Sequence, residues 1–160
     1  MFTTLLTTLS AVVVGLTSGL YWGFTVAVMP GLRDTDDQTF IAVMQAINRR
    51  IQNIWFVPIF MGSLLVPIAA AIALLASDHD DARRWGVASA ILAVIPVAIT
   101  VGGNIPLNNA LDSAGDVSDI EDPGSTRRAF EGPWTRLNLW RTVTSTAALA
   151  ALIRTVLLLR

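Results

Sequence analysis

The sequence predicts an all-α membrane protein: a four-transmembrane-helix bundle with an amphipathic interfacial helix between spans 1 and 2. Three observations predict it. Only 14% of the residues are charged and 53% are hydrophobic, whereas soluble domains carry about 25% charge. The apolar residues also lie in blocks, with no charge between Met1 and Arg33, between Arg50 and Asp78, or between Trp85 and Leu111. Each block supplies the roughly 20 apolar residues that a helix rising about 1.5 Å per residue needs to cross about 30 Å of hydrocarbon. The 160 residues are read as a single membrane domain.

Span 1 is placed at about Leu5–Met29. It lacks a basic n-region and is longer than the 7–15 residues typical of a signal-peptide core, so it reads as a retained helix. Gly15, Gly19 and Gly23 recur one turn apart and form a ridge that suits close backbone packing. That face also offers a surface for homo-oligomer formation. Pro30-Gly31 is expected to end the helix, because proline breaks the hydrogen-bond ladder. Thr35-Asp36-Asp37-Gln38 then fits a capping box, with Thr35 as cap and Gln38 reaching back. The amphipathic helix, about residues 36–53, follows: Phe40, Met44, Ile47 and Ile51 recur on one face, and Gln45, Asn48, Arg49 and Gln52 face elsewhere. Such a helix lies on or against the membrane surface.

Span 2 is Ile54–Ala76, with Trp55 at its opening, and span 3 is Trp85–Gly103, after the short charged loop Ser77–Arg84. Asn104-Ile105-Pro106-Leu107-Asn108-Asn109 is expected to begin a third loop, which continues as an acidic stretch to Asp122. Gly132-Pro133 opens span 4, since proline suits the first helical position. The apolar part of span 4 is Thr142–Leu159, in which Arg154 can snorkel to the headgroups. Arginine counts set the orientation. Loops 1 and 3 carry Arg33, Arg49, Arg50, Arg127, Arg128, Arg136 and Arg141, against Arg83, Arg84, Arg154 and Arg160 on the other side. The chain is therefore expected to be a multi-pass cell-membrane protein with loops 1 and 3 in the cytoplasm.

Several classes of chemistry are excluded or weakly supported. Without cysteine there is no disulfide, thiolate metal site or cysteine nucleophile. A net charge of −1 offers nothing to nucleic acid. The single histidine, His79, sits among Asp78, Asp80 and Asp81 in the short loop, where a solvated charged turn is the ordinary reading. No His/Glu helix motif, glycine-rich phosphate loop or nucleophile elbow is present, so neither a metal nor a cofactor is expected.

The unusual polar residues gather at the end that holds loops 1 and 3. Asn104 and Asn108 are four apart, and Trp134, Asn138 and Arg141 fall at i, i+4 and i+7 on one helical face. Asn48, Asn53 and Trp55 lie beside span 2, and Tyr21 and Trp22 lie two turns inside span 1. Amides and a guanidinium at membrane depth are costly unless paired. Arg141 is expected to pair with the Asn104 and Asn108 carbonyl oxygens, or with a ligand. The plain alternative is that tryptophan belts, arginines and asparagines simply mark a membrane interface. The functional alternative is a site for an oxygen-bearing apolar aromatic molecule or lipid, whose oxyanion the guanidinium and amides stabilise.

The run Gly23-Phe24-Thr25-Val26-Ala27-Val28-Met29-Pro30-Gly31-Leu32 resembles the first-helix ending of the anthrone-oxygenase-like family of small membrane proteins. The likeness continues through Phe40–Asn48, Asn53-Ile54-Trp55-Phe56, Asn104–Asn108 and Trp134–Arg141, in the same order. The resemblance implies a four-helix membrane fold and, in some members, oxidation of an anthrone to an anthraquinone by O₂ with no recognised cofactor. Transferred to this chain, it implies a membrane-bound, cofactor-independent oxygenase of an enolisable apolar aromatic substrate. Arg141, Asn138 and Asn104 would be catalytic. Asn108, Trp134, Asn48, Trp55 and Tyr21 would bind substrate, with Tyr21 also a proton relay. The alternative is a non-enzymatic membrane protein that binds or moves an apolar small molecule or lipid, or scaffolds a partner complex. A ligand pocket beside Arg141 favours the first reading, and a network sealed by asparagines favours plain structure.

Overall fold

The computed structural model describes all residues, 1–160, and is entirely helical apart from short links. Four long helices form a ring: α1 (Phe2–Arg33), α3 (Phe56–Leu75), α4 (Asp80–Ser113) and α5 (Pro123–Leu158), each apolar and long enough to cross a membrane. Neighbours pack in the order α1, α3, α4, α5 and back to α1. The amphipathic helix α2 (Asp37–Ile51) packs across one end of the ring, against α5 and the last turns of α4.

Helix length explains why one end becomes a head. α3 has 20 residues, about 30 Å at 1.5 Å per residue, and only just spans the hydrocarbon. α1, α4 and α5 have 32, 34 and 36 residues and therefore stand well proud of it. Their extensions, roofed by α2, enclose a core of Phe24, Met29, Leu32, Phe40, Ile41, Met44, Leu111, Phe130 and Trp134. Deeper in the ring the contacts are small: Val14, Ala93, Ala148 and Leu152 form one cluster, and Thr7, Ser10, Ser89 and Ser145 are buried beside it. Small residues let backbones approach where lipid supplies no hydrophobic drive. Their hydroxyls bond within their own helices, as Ser10 does to the Leu6 carbonyl at 2.8 Å.

Several sequence expectations are corrected. Pro30 does not end α1, and the asparagine block does not begin a loop. Each proline is preceded by a wide π turn, Phe24–Val28 before Met29-Pro30 and Thr100–Asn104 before Ile105-Pro106. The wider turn relieves the clash that a proline ring makes with the preceding turn, so both helices run on, to Arg33 and Ser113. Gly103 lies in the second π turn, where a Cβ would stand 2.6 Å from Leu137 Cδ1. Pro133 sits inside α5. That helix starts ten residues earlier at Pro123, where the Asp122 carboxylate accepts the Ser125 N–H at 2.8 Å. The cap of α2 is Asp36, whose carboxylate accepts the Thr39 N–H at 2.9 Å and its hydroxyl at 2.7 Å, while Thr35 donates back to the Leu32 carbonyl. Thr39 holds the Asp36 carboxyl below the usual aspartate range, first through its hydroxyl and then through its backbone N–H.

α2 covers the bundle end, and Gln45 and Asn48, expected to face away from its apolar side, are buried along with it. Gln45 donates to the Leu111 and Gly115 carbonyls at 2.9 and 3.0 Å, fixing the roof to the turn after α4. Gly115 holds that turn at φ 83°, a conformation that suits glycine. The second tie is Arg127. It donates to Glu131 at 2.8 Å, to Asp37 at 3.0 Å and to the Thr35 carbonyl at 2.8 Å, and its guanidinium lies 4.5 Å over the Phe40 ring. The glycine ridge of α1 is only lightly used: a Cβ at Gly15 would touch Leu149, and nothing lies within 4 Å at Gly19 or Gly23.

Candidate functional site

Under the roof of α2, the two π turns face a cavity of about 340 Å³. Its walls come from every helix. α1 gives Leu20, Tyr21 and Phe24; α2 gives Met44, Ile47, Asn48 and Ile51; α3 gives Phe56, Val57 and Phe60. α4 contributes Thr100, Asn104, Ile105 and Asn108, and α5 contributes Trp134 and Arg141. The volume lies in the range of small-molecule sites, and the composition matches too: mostly apolar, with a few converging polar groups.

Arg141 is the charged centre of this pocket and is only 7% exposed. Its Nη2 donates to Asn138 Oδ1 at 2.8 Å and its Nη1 to Thr100 Oγ1 at 3.2 Å. Thr100, the first residue of the π turn that ends at Asn104, and Asn138 stand in place of the expected Asn104 and Asn108 partners. The guanidinium carbon lies 4.5 Å from the Tyr21 ring centre and 5.2 Å from that of Trp134, within cation–π range of both. No carboxylate pairs with it, and its buried Nε has no partner. A guanidinium has five N–H donors, and neutral hydroxyl and amide oxygens engage two of its three nitrogens.

Asn138 lies beneath Arg141, outside the cavity wall. While Oδ1 accepts from the guanidinium, Nδ2 donates to the Tyr21 carbonyl at 3.0 Å and to Thr25 Oγ1 at 2.9 Å. That carbonyl sits where α1 passes into its π turn and also accepts the Phe24 N–H and, at 3.0 Å, the Thr25 hydroxyl. Asn138 therefore fixes Arg141 to α1 and acts on the pocket through it.

The other asparagines divide in two. Asn108 Oδ1 accepts the Trp134 indole N–H at 2.9 Å. Trp134 is thereby fixed, with its ring also packed on Phe24 and Phe130 at 5.3 and 6.1 Å between centres. Asn104, 1% exposed, has no hydrogen-bond partner for either amide atom, and Asn48 Nδ2 has none either. Three buried polar side chains of the pocket thus hold unpaired groups. Buried polar groups are nearly always satisfied, so these three side chains are the open hydrogen-bonding groups of the pocket.

Six of the eight residues expected at a site line this pocket: Tyr21, Asn48, Asn104, Asn108, Trp134 and Arg141. Asn138 stands behind it. Trp55 is not brought in: it is 77% exposed in the link before α3 and borders a shallow outer groove with Leu16, Asn53 and Ile59. That groove shares Leu20, Ile51 and Phe56 with the pocket, so these three side chains form the wall between pocket and groove. Sequence reasoning missed Thr100, since a threonine in an apolar run reads as bonding back to its own helix. It does so here as well, donating to the Pro96 carbonyl at 2.7 Å. Phe24, Met44, Phe56 and Phe60 were indistinguishable from ordinary core. The fold gathers no three histidine, cysteine or carboxylate side chains, so the polar chemistry of the pocket rests on a guanidinium, amides, hydroxyls and one phenol.

A family model described as anthrone oxygenase matches residues 53–151, well over half the chain, including Asn104, Asn108, Trp134, Asn138 and Arg141. No curated protein and no solved structure matches.

Proposed function

The chain belongs to the anthrone oxygenase family, and from that premise we propose that it is a membrane-bound oxygenase of an enolisable, apolar aromatic ketone of the anthrone type. The observation that carries this reading is Arg141: a buried cation with no carboxylate partner, free donor capacity and a place in the wall of an apolar cavity. An uncompensated buried charge is expensive. An anionic oxygen of a bound substrate relieves that cost, and the relief grows as the substrate becomes an enolate.

The chemistry needs little more. Loss of a proton from the doubly benzylic carbon gives an enolate, its charge held on oxygen by Arg141, with the free Asn104 amide beside it. The electron-rich carbon transfers an electron to O₂, and the radical pair combines to a peroxide at that carbon. Breaking the O–O bond with loss of the remaining C–H proton gives the quinone carbonyl and water, so ketone plus O₂ becomes quinone plus H₂O. Phe24, Phe56 and Phe60 supply apolar walls for the rings. Tyr21, the one phenol of the chain, stands against Arg141 and is the group assigned to relay the proton. The arginine count supports placing this end of the bundle in the cytoplasm.

One observation favours a second reading, a carrier that binds such molecules without changing them: the pocket wall holds no carboxylate or imidazole to act as base. A single experiment separates the two. Purified protein in detergent is given a simple anthrone, and oxygen uptake and quinone formation are followed against the spontaneous rate, with a chelator-treated sample alongside. Oxygenase activity appears as turnover that falls by about 10²-fold or more in Arg141→Gln, the loss typical of removing an oxyanion donor. Saturable anthrone binding without turnover makes the protein a carrier. Turnover unchanged by Arg141→Gln sinks the proposed site, and turnover abolished by the chelator brings a metal into the reaction.

A further inference from the structure

A second, chemically different groove lies on the outer face of α1 and α5. It measures about 560 Å³ and is lined by Arg33, Arg128, Arg136, Thr25, Thr135 and Glu131, with Gly132 and Leu139 completing it. We propose that this groove binds the phosphate of an anionic phospholipid in the surrounding leaflet.

The sequence builds the groove as a single stripe. Arg128, Glu131, Gly132, Thr135, Arg136 and Leu139 fall at i, i+3, i+4, i+7, i+8 and i+11, one face of α5. Its cations outnumber its anions. The carboxylate of Glu131 is shared, accepting from Arg33 Nε at 3.4 Å and from Arg127 Nε at 2.8 Å. Arg128 and Arg136 form no ion pair. The Thr135 hydroxyl is buried against the groove with no hydrogen-bond partner. Gly132 leaves the floor open, since a Cβ there would meet nothing within 4 Å. Guanidinium groups, a free hydroxyl and an open floor suit a phosphate diester, which arginine can hold by paired N–H bonds.

The deep end of the groove selects a lipid over a soluble anion. From Arg128 to Leu139 the stripe descends about 16 Å at 1.5 Å per residue. It runs from the polar head of the bundle to Leu139, which is 49% exposed, at a level where Trp22 and Trp140 are also exposed, 56% and 58%. Exposed indoles mark the boundary between headgroup and hydrocarbon. A phosphate held by the arginines thus leaves its acyl chains running past Leu139 into the hydrocarbon.

The test uses the full chain, purified from phosphatidylcholine nanodiscs containing phosphatidylglycerol, with native mass spectrometry counting the lipid that stays bound. Wild type retains phosphatidylglycerol in preference to phosphatidylcholine. Each interfacial arginine is worth about a factor of five, so Arg128→Gln with Arg136→Gln weakens retention by about thirty-fold. Gly132→Trp fills the floor, keeps every charge and abolishes retention as well. Thermal unfolding shows that the variants fold, and Gly132→Trp decides alone if the double variant does not. Equal retention of both lipids, or retention untouched in Gly132→Trp, overturns the proposal. Displacement of the lipid by millimolar glycerol phosphate also overturns it, in favour of a site for a soluble phosphate.

Discussion

At the scale of single residues, the site depends on how one guanidinium is held. Arg141 is fixed by Asn138 and Thr100 and carried between the Tyr21 and Trp134 rings, so its remaining donor capacity points to a defined place. Much of this was legible in the sequence, because asparagine and arginine inside apolar runs are costly unless used, and their helical spacing gathers them on one side. The pairing was not legible: Thr100 replaces Asn104 and Asn108 as partner because of local backbone geometry that composition does not encode. Tyr21 now separates two roles. Tyr21→Phe keeps the ring under the guanidinium and removes only the hydroxyl. If that hydroxyl relays the proton, kcat falls by about 10²-fold while KM changes little. If the ring alone matters, the variant turns over like wild type and the relay must be found elsewhere.

At the scale of elements, the four spans could be read from their length and freedom from charge, whereas their ends could not. Pro30, Pro106 and Pro133 all looked like helix boundaries, and all three lie within helices, two of them behind π turns. A π turn carries no sequence signature beyond the proline it accommodates. The burial of α2 was equally hidden, since it depends on Arg127, which sits in a charged stretch that reads as solvated. Arg127 is 9% exposed and joins Glu131, Asp37, the Arg33 carbonyl at the end of α1 and the Thr35 carbonyl of the α1–α2 link. Arg127→Met leaves Glu131 with only the longer Arg33 contact and removes the ion pair that ties α2 to α5, at a cost of about 3 kcal/mol, the low end for breaking a buried pair because Asp37 is partly exposed. Melting should fall accordingly, and trypsin should cut sooner after Arg49 and Arg50 at the end of α2. Unchanged proteolysis would mean that Gln45 alone anchors the roof. Asp36 gives the same helix a pH dependence. Its folded pKa is depressed by Thr39, so the stability it lends is present above the ordinary aspartate range and is lost as pH falls through the lower, folded value. Hydrogen exchange in the first turn of α2 should therefore quicken in acid ahead of the rest of the molecule, and Asp36→Asn should remove that acid step.

At the scale of the whole molecule, the proposed reaction poses the question of how an apolar ketone reaches the pocket from the surrounding lipid. The ring of spans is closed below the pocket by small-residue packing, and the roof is tied down on the side of α4 and α5 by Gln45 and Arg127. No such tie joins α2 to α1 or α3; the link Gln52–Trp55 is irregular, and Ile54 and Trp55 are 79% and 77% exposed there. On that side the pocket is parted from the outer groove only by Leu20, Ile51 and Phe56, three side chains with no polar bond to break. An apolar ketone concentrated in the bilayer would meet this wall from the lipid side, with Trp55 at its outer edge. Rotamer changes of the wall side chains would be enough to admit it. Ile51→Trp should therefore lower kcat/KM for a lipid-partitioned anthrone by roughly tenfold, since a thicker wall slows access while leaving transition-state contacts at Arg141 intact. The same variant should leave kcat near the wild-type value once substrate saturates. A fall in kcat with unchanged KM would instead place Ile51 against the bound rings. No change in either parameter would route the substrate through the polar side of the roof, past Asn48 and Asn109.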